Sequence, residues 1–405
     1  MPSVYAAGPF ICTWTGGGSD NNFNTAGNWS GCNSAAPQPA DNDQLVFPIS
    51  AARHTPINNL TSASFANITF NGGASDQSQS GYTITGNAIT LGNIDDSSNT
   101  SAGNEINVNI TVNSSVLFSS SSTSGLTIGN PSSPGSTSLT VVGSVQLNLR
   151  DTIVASAITA GSGSLIVVSS PVGDNGVFFA ADNPGLAGNV RVDGGTLNLY
   201  GQNVNATVTT DGAGNSKLGG TAGQAKQIIV GANDSISPGL SSSPNCLTAG
   251  SLTLSGVYNA KIQGSTTACT DYDQIVNTSG QVNLSGSRLN VSFLNSFEPA
   301  VGTKFTIIKN QFGGPISGTF SGLAEGGTFT VGDVTFSITY QGNSENDVVI
   351  TVTKVGSASA KTTPSAPNTG LGAIMGNPFS LLATTGAAAL MILIIARRLK
   401  PAVKR

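Results

Sequence analysis

Residues 178–200 read FFAADNPGLAGNVRVDGGTLNLY. Two short runs in this stretch, VRV at 190–192 and LNL at 197–199, alternate apolar with polar residues. Alternation with a period of two is typical of a β-strand that buries one face. Strands this short cannot bury an apolar face alone, so we expect them to stack on neighbours that repeat the pattern.

The same pattern extends in both directions, from about residue 60 to about residue 230. Each run is short and is bounded by Gly, Asn, Ser or Pro, which favour turns. Further examples are INVNITV at 106–112, LTVV at 139–142, VQLNL at 145–149 and LIVV at 165–168. The repeat spacing is loose, but the series predicts an all-β fold. We take a right-handed parallel β-helix, or β-solenoid, as the first architecture and a set of β-sandwich modules as the alternative.

The composition supports a β protein with a polar, weakly charged surface. Of the 405 residues, 9% are charged, against roughly 25% in an average soluble domain. Gly, Ser, Thr and Asn together make up about 45% of the chain, and these are poor helix formers. The net charge of -4 and the pI of about 4.9 disfavour nucleic-acid binding. The recurrent β-branched residues and the small net charge disfavour a disordered chain.

Residues suited to acid–base catalysis are few and scattered. The chain has one histidine, His54, in a loop before a proline, and we interpret it as a surface residue. There is no phosphate-binding GK[ST] loop, no HExxH and no CxxC. The pairs Arg150-Asp151 and Arg191/Asp193 are too sparse for the charged groove of a β-helix polysaccharide lyase or hydrolase. We therefore predict no catalytic residue, no metal and no cofactor. The four glutamates lie far apart: Glu105, Glu298, Glu325 and Glu345.

The four cysteines, Cys12, Cys32, Cys246 and Cys269, fall into two local pairs. Four cysteines allow three connectivities, and the sequence alone does not choose between them. We favour Cys12–Cys32 and Cys246–Cys269, since a loop of about 20 residues is worth about 3 kcal/mol in the chain-entropy model. Four reduced, buried thiols are the alternative. The spacings do not fit zinc, and disulfides would indicate an oxidising compartment.

The C-terminus has the pattern of a membrane anchor. Residues 379–396, FSLLATTGAAALMILIIA, contain no charge, and as a helix they would span about 27 Å. Arg397, Arg398 and Lys400 follow directly, with two more basic residues at the end. This cluster predicts a stop-transfer signal that holds the terminus in the cytoplasm. A buried core helix is the alternative.

The residues just before the apolar run are Ala366-Pro367-Asn368-Thr369-Gly370. The order of this motif, the apolar span and the basic tail resembles the cell-wall sorting signal of LPxTG-type surface proteins. The resemblance implies that a sortase-like transpeptidase cleaves between Thr369 and Gly370 and joins the threonine to an amine of the envelope. Ala366 stands where the family has leucine. A permanent membrane tail anchor is the alternative.

Two other segments resemble bacterial surface proteins with autotransporter-type repeats. Residues 13–31, TWTGGGSDNNFNTAGNWSG, resemble the opening of such proteins, and residues 178–200 resemble one autotransporter-associated β-strand repeat, with Gly194-Gly195 as the turn. Residues 236–355 resemble the β module that follows the solenoid in such passengers. We interpret Trp14 and Trp29 as anchors that cover the end of the sheet stack, with stacking on a sugar as the alternative.

The start of the chain has no basic and apolar export signal, although Val4-Tyr5-Ala6 before Ala7 resembles the end of a signal peptidase site. We expect the mature protein to begin near Ala7. Export by the C-terminal span alone is the alternative.

These observations predict five regions. They are an N-terminal cap (1–50), a β-solenoid (51–235), a C-terminal β module (236–355), a linker with the sorting-like motif (356–370) and a transmembrane helix with a basic tail (371–405). The predicted function is that of a cell-surface anchored structural or adhesion protein. A β-helix that binds or degrades surface polysaccharide is the alternative. The predicted partners are a sortase-like transpeptidase, the membrane, and a surface glycan or a protein of a host or partner cell, but no nucleic acid.

Overall fold

The computed structural model of the protein describes residues 9–33, 36–38, 41–72, 80–98, 100, 102–122, 124–169, 176–239 and 242–356. Strands dominate these residues. The helical elements among them are short: a 3-10 turn at Ala26–Asn28 and a single α-helical turn, α1, at Gly342–Glu345. The prediction of an all-β protein with stacked parallel strands is confirmed, since the parallel sheets are those of a β-solenoid.

In chain order the first strands are β1 (Ile11–Trp14), β2 (Trp29–Ser30), β3 (Asp43–Pro48), β4 (Ile57–Asn58), β5 (Ala63–Asn71), β6 (Thr83–Gly86), β7 (Ile89–Asp96), β8 (Asn104–Ile106), β9 (Ile110–Val112), β10 (Val116–Ser120), β11 (Leu126–Ile128), β12 (Ser138–Val141), β13 (Gln146–Arg150), β14 (Thr152–Val154), β15 (Ala157–Ala160) and β16 (Leu165–Val168). The remaining strands are β17 (Val177–Phe179), β18 (Asn189–Val192), β19 (Gly195–Leu199), β20 (Gln202–Thr210), β21 (Ser216–Gly220), β22 (Gln224–Val230), β23 (Ser235–Pro238), β24 (Cys246–Leu254), β25 (Val257–Ile262), β26 (Gln274–Asn277), β27 (Val282–Asn283), β28 (Arg288–Phe293), β29 (Lys304–Asn310), β30 (Thr328–Val331), β31 (Val334–Gln341) and β32 (Asp347–Val355).

The chain alternates between two columns of parallel strands. The narrow sheet has 11 described strands, in the order β4, β6, β8, β11, β14, β17, β19, β21, β23, β25 and β28. The broad sheet begins with β1, β3, β5 and β7, and there each coil contributes one long or two short strands. Strand β7, for example, pairs with both β9 and β10, which follow each other around a bend. A β-sandwich, whose sheets are antiparallel, does not fit this pairing.

The coils stack in register although their lengths differ. Ile84, Ile106 and Ile128 are successive partners in the narrow sheet, and the spacing between them is constant. The coil from Leu218 to Ile236 is shorter, and the coil from Tyr258 to Leu289 is much longer. The coils differ in the length of their outer loops. This explains why the repeat spacing in the sequence is loose.

The turn at Gly194-Gly195 is a corner between the two sheets. Strand β18 lies in the broad sheet and β19 in the narrow sheet, so the two strands do not pair with each other. Both glycines have positive φ, 84° and 81°. Such angles are unfavourable for residues with a Cβ, and the corner therefore requires glycine.

The N-terminal end of the stack is covered by a cluster of aromatic side chains. Trp14 is 0% exposed and Trp29 is 6% exposed, and their rings meet edge to face at 5.0 Å. Trp14 Nε1 donates to the Arg53 carbonyl (2.8 Å) and Trp29 Nε1 to the Phe23 carbonyl (2.7 Å). Rings buried in this way cannot stack on a sugar, so the two tryptophans cover the core and the sugar-stacking alternative is wrong.

At the other end the pairing changes from parallel to antiparallel. Parallel pairing continues across residue 236 and through β28. Strand β29 then pairs antiparallel with β32, and β30, β31 and β32 form an antiparallel meander. Phe336 of this meander stacks on Phe329 at 5.2 Å and on Phe293 at 6.1 Å. The meander thus covers the last coil.

Both disulfides pair cysteines that are near in sequence, as the sequence analysis favours. Cys12–Cys32 lies in the N-terminal cap, and Cys246–Cys269 joins the start of β24 to the loop before β26. The Cα atoms are 4.7 Å and 4.8 Å apart. No cysteine within the described ranges is free.

We predict that Gly92→Ala destabilises the fold. A Cβ at Gly92 would lie 2.0 Å from the Ala66 carbonyl oxygen, and relief of such overlap costs about 1–3 kcal/mol or more. Gly161→Ala is the matched control, because a Cβ there meets nothing within 4 Å. Urea unfolding of both variants is the measurement. Equal stability of the two variants would contradict the close approach of the coils at Gly92.

Candidate functional site

A groove runs along the bend of the broad sheet near the N-terminal end, and we call it the trough. It crosses β5, β7 and the turn between β9 and β10, and its volume is about 420 Å³. Its lining consists of Asn42, Ser64, Phe65, Ala66, Asn67, Thr90, Leu91, Gly92, Asn93, Asn113, Ser114, Ser115 and Val116.

The trough arises because the strands bend where the apolar–polar alternation is interrupted. In residues 65–68 and 91–94 the first and last residues are buried, while the two between them lie toward the surface. These segments are adjacent, since Phe65 pairs with Leu91 and Asn67 with Asn93. Two outward residues in a row turn the strand, and successive bends in register form a continuous depression. Gly92 allows the Ala66 carbonyl to approach the floor.

The trough is uncharged, and its polar groups are amides and hydroxyls. Asn93 Oδ1 accepts from the Leu117 amide (2.8 Å), and Asn42 Oδ1 accepts from the Ser64 hydroxyl (3.2 Å). Asn93 Nδ2 makes a long contact of 3.5 Å with Asn67 Oδ1. Within the described part of the chain, Nδ2 of Asn42 and of Asn67 and the whole Asn113 amide have no hydrogen-bond partner. These groups are free to bind a ligand.

A second depression of about 470 Å³ lies on the C-terminal meander. Glu325 is the one charged residue in its lining, beside Pro315, Ile316 and Tyr340. Glu325 Oε2 accepts from the Tyr340 amide (2.8 Å), and the Tyr340 hydroxyl donates to the Leu323 carbonyl (2.7 Å). These bonds hold the meander together, so the polar groups of this depression are largely engaged.

The charged residues considered in the sequence analysis do not converge. His54 Nδ1 lies 2.6 Å from the Ser80 carbonyl, and the ring stacks on Tyr82 at 4.4 Å. Arg150 Nε lies 3.9 Å from Asp151 Oδ2. On another coil, Arg191 Nη2 lies 2.5 Å from Asp193 Oδ2. Among the residues that the structure describes, no three His, Cys, Asp or Glu side chains are placed to hold a metal ion.

The anchor residues predicted at the C-terminus lie outside the described residues. These are the sorting-like motif at Ala366, Pro367, Asn368, Thr369 and Gly370, the apolar run at 379–396, and the stop-transfer residues Arg397, Arg398 and Lys400. The proposed signal peptidase site at residues 4–7 lies outside them as well. In the part of the chain that is described, no helix is long and apolar enough to span a membrane.

A buried carboxylate lies inside the coil next to the trough. Asp96 accepts hydrogen bonds from the Ser98 amide (3.1 Å) and hydroxyl (2.8 Å), Asn104 Nδ2 (3.0 Å) and the Ser120 hydroxyl (3.0 Å). Burial raises the pKa of Asp96, and these four donors oppose the increase. The group is structural, because it joins Ser98 and Asn104 of its own coil to Ser120 of the next coil.

A buried ion pair, which the sequence analysis missed, lies beside the second disulfide. Lys261 Nζ is 2.8 Å from Asp273 Oδ2 and also donates to the Ser237 hydroxyl (2.7 Å) and the Pro238 carbonyl (2.6 Å). Asp273 accepts from the Asn245 and Lys261 amides, each at 2.8 Å. Burial raises the pKa of Asp273 to about 6, although the Lys261 ammonium acts in the opposite direction. The one signal in the sequence is Lys261 itself, a cation inside the apolar run Ala260-Lys261-Ile262.

No protein family, curated protein or solved structure matches the chain. The resemblances to autotransporter-type repeats and to the sorting signal remain predictions from the sequence.

We predict that Asp96→Asn removes a pH dependence of stability. The pKa of Asp96 is higher in the folded protein than its usual value of 3.8. The stability that protonated Asp96 contributes to the fold is therefore fully present below pH 3.8. It is lost as the pH rises through the pKa of Asp96 in the folded protein. Each unit of that increase corresponds to about 1.4 kcal/mol. At neutral pH the variant should be at least as stable as the parent, and its stability should vary less between pH 4 and 7. Asp95→Asn, at the exposed neighbour, is the control in urea titrations, and an equal pH profile for both variants would contradict the prediction.

We predict that Lys261→Met costs about 3–5 kcal/mol at neutral pH, because it leaves the Asp273 carboxylate buried without its cation. The loss of stability caused by Lys261→Met should be smaller below pH 6, where Asp273 takes up a proton. Lys226 is exposed on β22, so Lys226→Met should change stability by about 0.5 kcal/mol or less. Thermal unfolding at pH 5 and pH 7.5 measures both effects. A loss for Lys261→Met as small as that of the control would show that the ion pair contributes little.

Proposed function

We propose that this chain is a surface protein, anchored at its C-terminus, that presents a β-solenoid outside the cell for adhesion or as a structural component of the surface. The trough is the candidate contact site on the solenoid. The observation that carries the proposal is this uncharged groove of free amides and hydroxyls on a stack of coils whose surface is rich in Ser, Thr and Asn.

The disulfides support an extracellular location. Both pairs form between cysteines of the same local region. Disulfides persist in oxidising environments and are rare in the cytosol. A solenoid that works outside the cell gains stability from covalent closure of its N-terminal cap and of a long loop.

The sequence of the C-terminus supports anchoring. The order of the sorting-like motif, the apolar span and the basic cluster fits a protein that is held in the membrane and then transferred to the envelope. A sortase-like transpeptidase and the membrane are therefore its proposed partners. The linker at 356–370 would lift the solenoid away from the membrane surface.

The alternative is a β-helix enzyme that degrades polysaccharide. Glycoside hydrolysis uses two carboxyl groups that flank the scissile bond. The described lining of the trough offers amides and hydroxyls in place of such a pair. This lining favours binding over hydrolysis as the role of the trough.

We predict that Thr369→Ala abolishes covalent attachment, because a sortase-like enzyme must form its acyl intermediate on Thr369. In cells of the source organism, the parent protein should remain with the envelope after extraction with hot detergent, and the variant should move to the detergent-soluble fraction. Thr363→Ala, in the same linker, is the control and should behave like the parent.

Extraction of the parent protein by detergent would support the permanent tail anchor in place of the covalent link. Resistance of both proteins to protease added to intact cells would contradict the surface location itself.

A further inference from the structure

We propose that the trough binds a neutral polysaccharide whose chain runs across the coils, with about one sugar residue on each coil. This inference rests on the proposed function and names the class of ligand that the solenoid would meet at the cell surface. It follows from the charge of the trough, the spacing of its amides and the way in which those amides are held.

The chemistry of the lining selects a neutral, hydroxyl-rich ligand. The lining has no Lys or Arg for an anion and no Asp or Glu for a cation. The apolar side chains of Phe65, Leu91 and Val116 in the lining are buried, so the floor offers little to an apolar molecule. What remains exposed is amide and hydroxyl, and an amide both donates and accepts, as a sugar hydroxyl does.

The spacing of the amides fits a polymer. Asn67 and Asn93 are register partners on neighbouring parallel strands, which lie about 4.8 Å apart. The turn that carries Asn113 lies on the next coil, because β7 pairs with β9 on one side of the turn and with β10 on the other. A pyranose residue in an extended glycan has nearly the length of this spacing. A chain that crosses these two coils thus meets an asparagine on each, and the exposed Asn113 lies in the turn of the next coil.

Two of the trough amides, those of Asn93 and Asn42, are fixed before a ligand arrives. The Leu117 amide holds Asn93 Oδ1, and the Ser64 hydroxyl holds Asn42 Oδ1. Fixed side chains lose less conformational entropy on binding. Gly92 lets the Ala66 backbone approach closely at the floor, since a Cβ at this position would lie 2.0 Å from the Ala66 carbonyl oxygen.

Two exposed apolar side chains flank the trough. Leu117 is 39% exposed and follows Val116 of the lining, and Val142 is 50% exposed. The Val142 amide donates to the Val112 carbonyl (2.8 Å), which places Val142 on the coil next to Asn113. Sugars present C–H faces as well as hydroxyls, and these two side chains match such faces beside the polar trough.

The test is affinity electrophoresis of the purified full-length protein in detergent. The native gels contain either a neutral polysaccharide (laminarin, dextran, mannan or galactan) or a charged one (polygalacturonate, hyaluronate or dextran sulfate). We expect at least one neutral polysaccharide to retard the protein and the charged ones to have no larger effect. Retardation by no neutral polysaccharide, or by charged ones preferentially, would overturn the proposal.

Two double variants localise the binding. Asn67→Ala with Asn113→Ala removes free amides of the trough, and the affinity should fall about tenfold, as the loss of two ordinary hydrogen bonds implies. Asn189→Ala with Asn215→Ala removes exposed amides on distant coils and should leave the affinity unchanged. Equal thermal midpoints show that all variants are folded. If the trough variant binds like the parent, the site lies elsewhere and the proposal fails.

A third variant tests the trough by blocking it. Ser114 is exposed in the lining, and Ser114→Trp fills the groove without removing a hydrogen bond of the fold. It should abolish retardation by the neutral polysaccharide. These outcomes are independent of the anchoring experiment. If the protein is attached to the cell surface but binds no neutral polysaccharide, the proposed function stands and this inference fails. If the protein binds a neutral polysaccharide but stays inside the cell, this inference stands and the proposed function fails.

Discussion

Each coil of this protein buries its apolar residues in one continuous core that it shares with the neighbouring coils. A short strand such as β8 or β11 has too little surface to form a core, yet Ile106 and Ile128 are fully buried because they stack in register. The two ends of such a stack have no neighbour and must be covered in another way. The N-terminal end uses the aromatic cluster around Trp14, and the C-terminal end uses the antiparallel strands β29 to β32. Stability therefore depends on continuous stacking between two caps.

The same constraint explains why the trough lies at a bend. Residues inside the coil are committed to packing, and residues on flat strands have neighbours on both sides. At the bend of the broad sheet two outward residues follow each other, as Ala66 and Asn67 do, and their side chains diverge. In-register stacking repeats this geometry on the next coil. The continuous groove thus arises from the same in-register stacking that builds the core.

Sequence reasoning finds the strands because the alternation is visible within a single short run, as in LNL at 197–199. It does not find the bends, because an interruption such as LGNI at 91–94 has the same appearance as the end of a strand. The Gly194-Gly195 turn is visible in the sequence, but its role as a link between two sheets depends on pairing with distant coils. The large apolar rings of Trp14 and Trp29 indicate a cap correctly. The pairing of Lys261 with Asp273 requires the path of the intervening loop, which no local pattern contains.

The cross-links in the C-terminal half lie where the coil departs most from its regular length. The step from Tyr258 to Leu289 is longer than each of the narrow-sheet steps before it, which run from Leu197 through Leu218 and Ile236 to Tyr258. Closing a longer loop costs more chain entropy, and the loop at 263–273 is closed by Cys246–Cys269 and by the Lys261–Asp273 pair. The disulfide attaches the loop to β24, and the ion pair joins the two ends of the loop. Lys261 also donates to Ser237 and Pro238 of the preceding coil. The core of the solenoid can therefore stay in register while its outer loops differ in length. For the same reason, polar side chains can line the trough without disturbing the stacking of the coils.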